Sequence, residues 1–201
     1  MKLFNRFAWY ISLGCCLPSS CALADFVGAY SLTSPGPAPG SYSNTPNGTP
    51  FGQWTLSTPA SGEFWVVSTA LAPTTLSLQV GDAPGVAPGP AEMGFSIVVP
   101  TATTISFDYV AAYGLPGEGV SIIEFLVNGT AVGAAGPGLG SFSTAVLTGD
   151  QFAFFISATQ TNPGGVTKQA AITVTNFVPE PSSAWLTTLA AVGFFKRRRI
   201  A

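Results

Sequence analysis

Carboxylates are the only side chains in this chain suited to acid–base catalysis or to holding a hard cation. It has no histidine, and its three cysteines, Cys15, Cys16 and Cys21, lie near the front. Ser-His and Cys-His triads and the usual zinc and copper sites are thereby excluded from the body. Between residues 25 and 179 stand eight acids: Asp25, Glu63, Asp82, Glu92, Asp108, Glu118, Glu124 and Asp150. A glycosidase needs two carboxyls flanking a cleft, and Glu118 with Glu124, or Asp108 with Asp150, are the available pairs. Calcium asks only for loop carboxylates and carbonyls, which Asp82, Glu92, Glu118 and Asp150 offer, although no Asp-x-Asp-x-Asp-Gly loop is present. Single acids scattered over strands and turns are more simply the solvated face that keeps a Phe-rich protein in solution. No catalytic, cofactor-binding or metal residue is assigned; calcium alone is kept open as a ligand.

Aromatic side chains offer a second chemistry, the stacking of sugar rings. Trp54 and Tyr113, near expected loops, suit it better than Trp65, which sits in the core-like run Phe64-Trp65-Val66-Val67. The Gly-rich stretch 133–140 lacks the Lys-Ser/Thr and helix of a phosphate-binding loop. Asn47-Gly48-Thr49 and Asn128-Gly129-Thr130 match the glycosylation sequon but read as turns.

The formal net charge of −2 hides a strong asymmetry, because six of the seven basic residues are at the two ends. The body carries eight acids against Lys168 alone, a balance of −7. Such a body repels phosphate backbones, and nucleic acid is excluded as a partner.

At the front, Lys2 and Arg6 precede the apolar run 7–17, and Pro18 breaks it before Ala22-Leu23-Ala24. Basic, apolar and small-residue zones in that order are a secretory signal, with cleavage after the pair Ala22 and Ala24. Leu17-Pro18-Ser19-Ser20-Cys21 is a poor lipobox, since Pro18 stands where an aliphatic residue belongs. Signal peptidase would remove residues 1–24, and every cysteine with them.

At the back, Val178-Pro179-Glu180-Pro181 leads into the largely apolar run 182–195 and then Lys196, Arg197, Arg198 and Arg199. The prolines are expected to block helix and strand and to leave an extended, accessible peptide. The apolar run can enter a bilayer, with the basic cluster as its cytoplasmic stop. At about 1.5 Å per residue it reaches roughly 21 Å, short of a hydrocarbon core of roughly 30 Å. The short transmembrane helix is therefore expected to be a transient handle for processing.

This three-part tail resembles the PEP-CTERM sorting signal. The resemblance implies an exosortase that cuts near 179–181 and delivers the body to the surface of a Gram-negative, polysaccharide-making cell. Residues 104–177 are similar to a recurrent PEP-CTERM ectodomain, with its SFDY strand, FLVNGT hairpin, GSFS strand, TGDQFAFFI strand and closing ITVTNFVPEP. That resemblance implies a β fold and no particular activity.

The elements that must position any site are strands. Gly and Pro number 23 and 17, against 15 Phe and 4 Trp, a composition of strands joined by tight turns. β-like runs fall at 64–69, 75–80, 93–99, 104–109, 120–127, 141–147, 151–158 and 169–177. Leu76, Leu78 and Val80 alternate with Ser77 and Gln79, as Ile105, Phe107 and Tyr109 do with Ser106 and Asp108. Asn128-Gly129 is a hairpin signal, and Gly149-Asp150 marks another turn. Loops over 82–90 and 133–140 would cap the sandwich ends.

The expected architecture is all-β, a jelly-roll-like antiparallel β-sandwich flanked by an N-terminal signal helix and a short C-terminal transmembrane helix. It divides into a signal peptide (1–24), a Pro/Gly-rich flexible segment (25–52), the ectodomain (53–177) and the sorting tail (178–201). The expected function is that of a non-enzymatic surface or extracellular-matrix component that packs with or binds polysaccharide. A carboxylate-dependent glycan hydrolase or a calcium-dependent adhesive module stands as the alternative. Expected partners are signal peptidase, exosortase, extracellular polysaccharide and, before processing, the membrane.

Overall fold

The computed structural model describes residues 26–33, 35, 40–43, 46–58, 64–82, 90–114, 119–160 and 168–181. Ala22, Ala24, the apolar run 182–195 and Lys196, Arg197, Arg198 and Arg199 lie outside the described residues. Among the described residues no helix is long and apolar enough to cross a membrane.

The strands are β1 (Ser41–Tyr42), β2 (Pro50–Phe51), β3 (Trp54–Ser57), β4 (Phe64–Ser68), β5 (Thr75–Asp82) and β6 (Ala91–Val98), followed by β7 (Thr103–Tyr113), β8 (Val120–Val127), β9 (Thr130–Ala134), β10 (Gly138–Val146), β11 (Gln151–Thr159) and β12 (Lys168–Pro181). A first sheet runs β1-β4-β5-β12-β7-β10 and a second runs β2-β3-β6-β11-β8-β9. All their pairings are antiparallel. The chain passes between sheets at almost every step from β5 onward, so that β5-β12-β7-β10 faces β6-β11-β8-β9. That order is a jelly roll of two Greek keys, and the expected all-β sandwich is present.

Period-two alternation decides which side chains meet between the sheets. Leu76, Leu78 and Val80 of β5, Met93, Phe95 and Ile97 of β6, Phe152, Phe154 and Ile156 of β11, and Ile172 and Val174 of β12 are all buried. An aromatic cluster fills the middle. Trp54 stacks on Phe95 with ring centroids 5.3 Å apart and planes 6° apart, and Phe107 of the first sheet meets Phe154 of the second at 5.3 Å. Each such ring contributes roughly 1.5–3 kcal/mol by leaving water. The Asn128-Gly129 turn joins β8 to β9 as expected, with both residues at positive φ (51° and 77°), the geometry of a type I′ hairpin.

Three expectations are corrected. The segment 25–52 is not simply a flexible leader, because Phe26, Tyr30, Leu32 and Phe51 are buried in the core. A single 3-10 turn, Gly28–Tyr30, folds the chain across the sandwich. It is fixed by Phe26 N–H on the Pro73 carbonyl (3.0 Å), Gln53 N–H on Ser31 (3.0 Å) and Trp54 Nε1–H on the Tyr30 carbonyl (3.1 Å).

The second correction concerns Val178, Pro179, Glu180 and Pro181, which extend β12 instead of interrupting it and pair with Ser106, Ile105, Thr104 and Thr103 of β7. The prolines are tolerated because β5 pairs with β12 only over 168–175. Past that point β12 has one neighbour, as an edge strand does, and a nitrogen without hydrogen meets no second carbonyl. Thirdly, the expected loop 133–140 shrinks to 135–137, since β9 and β10 take its two ends.

Candidate functional site

The outward face of the first sheet is built by the side chains that alternation sends away from the core. Register aligns Thr175 of β12, Asp108 of β7 and Ser141 of β10 in one row. A second row runs Ser41, Ser68, Ser77, Thr173, Val110 and Leu139 across all six strands. Hydroxyls and amides on this face pair with each other: Ser41 with Ser68 (3.1 Å), Ser77 with Thr173 (3.1 Å) and Gln79 with Gln169 (3.2 Å). Such cross-strand pairs hold polar side chains in fixed orientations.

Two shallow clefts adjoin along β7 and β10. One, of about 340 Å³, is lined by Ser106, Asp108, Ser141, Ser143 and Asn176 among others. Its neighbour, of about 470 Å³, takes in Tyr109, Val110, Leu139, Gly140 and Thr175 and shares Asp108 and Ser141. A β-bulge between Thr175 and Val178 shapes the junction. Asn176 there has φ 52° and turns outward, its Nδ2 donating to Asp108 Oδ2 at 2.8 Å. Phe177 turns inward and stacks on Phe26 at 4.6 Å. One extra residue thus seals the core and presents a carboxylate–amide pair to solvent. On the core-facing side of the same strands, where Tyr109 packs on Phe107 and Phe125, its ring crosses Gly140 so closely that a Cβ there would lie 2.4 Å from it.

The second sheet carries a smaller depression on its own outward face. About 250 Å³ in volume, it is lined by Ser57, Thr58, Glu92, Met93, Gly94 and Phe155. Phe155 stands across from Gly94 of β6 on one side and Glu124 of β8 on the other.

The residues singled out for chemistry are not gathered into one site. Trp54 is fully buried and Trp65 nearly so, so neither is a sugar platform. For Trp54 this corrects the expectation: its four-residue strand alternates strictly and turns the indole inward. Tyr113 is half-buried and its hydroxyl donates to the Ala135 carbonyl, while burial, followed by the neighbouring Tyr109, raises its pKa. It ties β7 to the segment after β9, with its hydroxyl engaged and its ring partly packed against the core.

Asp108 lies on the first sheet's outer face, whereas Asp150 sits in the turn before β11 of the second sheet. The two flank no shared cleft. Asp150 accepts the Leu147 N–H (2.7 Å) and the Asn128 amide (2.8 Å). Those bonds, the backbone one first, lower its pKa. Asn128 in turn accepts the Gln151 N–H at 2.8 Å, so the pair clasps two turns together. Asp82 is buried and accepts the Gln160 N–H at 2.6 Å. Glu118 lies outside the described residues, as do Glu63 and Asp25. Among the described residues no group of three or more acids could hold a metal ion, and Asp82, Glu92 and Asp150 do not converge.

Within the tail motif, Thr103 donates its hydroxyl to the Glu180 carbonyl, and Glu180 is exposed. Reasoning from sequence missed Asn176 and Phe155. Phe155 had a signal, since in Phe152-Ala153-Phe154-Phe155-Ile156 it is the one aromatic out of phase with the buried set.

No family model matches the chain, and no curated protein does. Among solved structures, the enzymatically active domain of bacteriophage CBA120 tailspike protein 4 aligns at 15% identity over 64% of this chain, with a TM-score of 0.35. The chain spans only 19% of that structure's length. A family 35 carbohydrate-binding module from an environmental isolate aligns at 15% identity over 46% of this chain and 72% of its own, with a TM-score of 0.26. Carbohydrate-binding module CBM36, solved with calcium and xylotriose, aligns at 13% identity over 60% of this chain and 99% of its own, with a TM-score of 0.25. Such scores transfer no ligand and no activity. The sandwich itself stands on the strand order given above.

Proposed function

We propose that this chain is an exported, non-enzymatic component of the cell surface or extracellular matrix, whose β12–β7–β10 face lies against a neutral polysaccharide. The observation that carries the reading is the pair of adjoining shallow clefts around Asp108, Asn176 and Ser141, the first lined mainly by hydroxyl, amide and carboxylate groups and the second more apolar. A carboxylate–amide pair accepts and donates together, which suits the adjacent hydroxyls of a sugar. Leu139, 88% exposed, and Val110 supply an apolar strip beside it for a ring's C–H face. Opposition between a body of balance −7 and an acidic glycan selects a neutral one.

The same proposal has the chain exported by its signal, held transiently in the inner membrane and passed to an exosortase at the 178–181 motif. Its support is the order of motif, apolar run and basic cluster. The motif also occupies the end of β12 that has a single neighbour.

Affinity electrophoresis of the full chain, in mild detergent, against a panel of neutral and acidic polysaccharides tests the binding face. Retardation by a neutral glycan, weakened by Asp108→Ala and without release of reducing sugar, is the expected result. If no glycan retards the chain, the binding reading falls; if reducing sugar is released, the non-enzymatic one does. For sorting, removal of residues 182–201 leaves β12 whole and should keep the body from the cell surface. Normal surface delivery of that truncation would overturn the exosortase reading.

A further inference from the structure

The two outward faces of a sandwich point in opposite directions, and each sheet here carries its own depression. On the second sheet, Phe155 is the one aromatic that β11 directs outward, and it is half-buried. The position directly across from it on β6 is Gly94. Nothing in the backbone requires glycine there. A Cβ would meet only Ser57 Cβ at 3.5 Å and the Ser57 carbonyl at 3.8 Å, ordinary contacts, and the φ is not positive. Glycine in a strand interior also weakens the strand. What it does is leave the floor beside the Phe155 ring open. Glu92, Ser57 and Thr58 rim that opening; among the described residues, their carboxylate and hydroxyls have no hydrogen-bond partner. An open aromatic face rimmed by unengaged acceptors and hydroxyls is the arrangement that stacks a sugar ring and bonds its hydroxyls. At about 250 Å³ the slot is smaller than the roughly 300 Å³ where drug-sized sites begin, a size for one ring and not for a chain.

We infer that this slot is a second saccharide subsite, for a single terminal or side-branch sugar, and that the protein bridges two glycan chains through its opposite faces. The sheets are packed about 10 Å apart, so one glycan cannot reach both outward faces without wrapping an edge. The bridging, though not the slot itself, rests on the first-face reading given above.

The test uses the full chain with one neutral polysaccharide immobilised on a surface and the same polysaccharide, fluorescently labelled, in solution. Gly94→Val fills the slot with a residue that strands favour, and Asp108→Ala disables the other face; thermal unfolding checks that both variants fold. The expected result is that each variant still binds the immobilised glycan while recruitment of labelled glycan falls about tenfold, a loss of the size expected for one contact of roughly 1.4 kcal/mol. The double variant should bind neither. If Gly94→Val recruits as the parent does while Asp108→Ala does not, the slot is refuted and the first face stands. If Gly94→Val alone abolishes binding and Asp108→Ala changes nothing, the slot stands and the first-face reading, with the bridge, is refuted. Recruitment unchanged in both variants overturns both.

Discussion

Truncating Phe26 to alanine tests whether the residues before the sandwich are part of it. Phe26 is 1% exposed, and its ring stacks on Phe177 at 4.6 Å with planes 12° apart. It also meets Trp54 edge-on at 5.9 Å. Those rings come from the N-terminal segment, β3 and the β12 bulge, so collapse around the vacancy would need three elements to move together. A buried Phe→Ala change costs about 3–5 kcal/mol, and for a domain of 150–250 residues each kcal/mol lowers Tm by about 2–4 °C. Phe26→Ala should therefore melt about 6–20 °C below the parent. Urea unfolding should show a lower midpoint with an unchanged slope. A flexible leader would respond quite differently, because substitutions at exposed sites stay within about 0.5 kcal/mol. A shift under 2 °C would refute the docking of residues 26–33 and restore the leader reading.

Trp54→Ala should likewise cost about 3–5 kcal/mol and lower the unfolding midpoint, while the surviving folded fraction binds polysaccharide as the parent does; weakened binding at full stability would return the indole to the surface. Gly140→Leu should drive a side chain into the Tyr109 ring on the core-facing side of β7 and β10 and destabilise by about 1–3 kcal/mol, measured by urea unfolding; an unchanged midpoint would show that the ring turns aside. Asp150 is more acidic folded than its usual value of 3.8, so its contribution is complete above that value and is lost as pH falls through the lower, folded one. Melting curves between pH 6 and pH 2 should converge for the parent and Asp150→Asn at the acid end, the parent being the more stable near neutrality; parallel curves would refute the clasp.

How much of this was legible beforehand varies with how each feature is encoded. The eight β-like runs lie in strands to within a residue, and in several of them, such as Leu76, Leu78 and Val80, apolar residues recur at every second position, a signal written within one strand. Phe26, Tyr30 and Leu32 have no such period, since they sit on an extended stretch broken by one 3-10 turn. Trp54 belongs to a strand of only four residues, too short for alternation to stand out beside its proline-rich surroundings. The clefts were illegible for a different reason. Asp108 and Asn176 are 68 residues apart, and only the register of β12 on β7 brings them together.

That register also explains why one bulge matters to both the core and the candidate site. Were this same sequence paired without a bulge, the alternation that sends Val174 inward would carry Asn176 inward too and turn Phe177 out. The aromatic stack on Phe26 would be lost, and a buried amide would need partners the apolar core does not have. With the bulge, Phe177 completes the core, Asn176 reaches Asp108, and the Pro-Glu-Pro residues that follow resume pairing on β7 alone. The inward Phe177 and the polar pair over the cleft are therefore consequences of a single local event. Deletion of Asn176 should return β12 to regular alternation, with Phe177 still inward and residues 178–181 still in register on β7, so that it and Asn176→Ala alike take the amide from Asp108 and weaken the glycan contact; a fall in the unfolding midpoint on deletion would refute this account of the bulge.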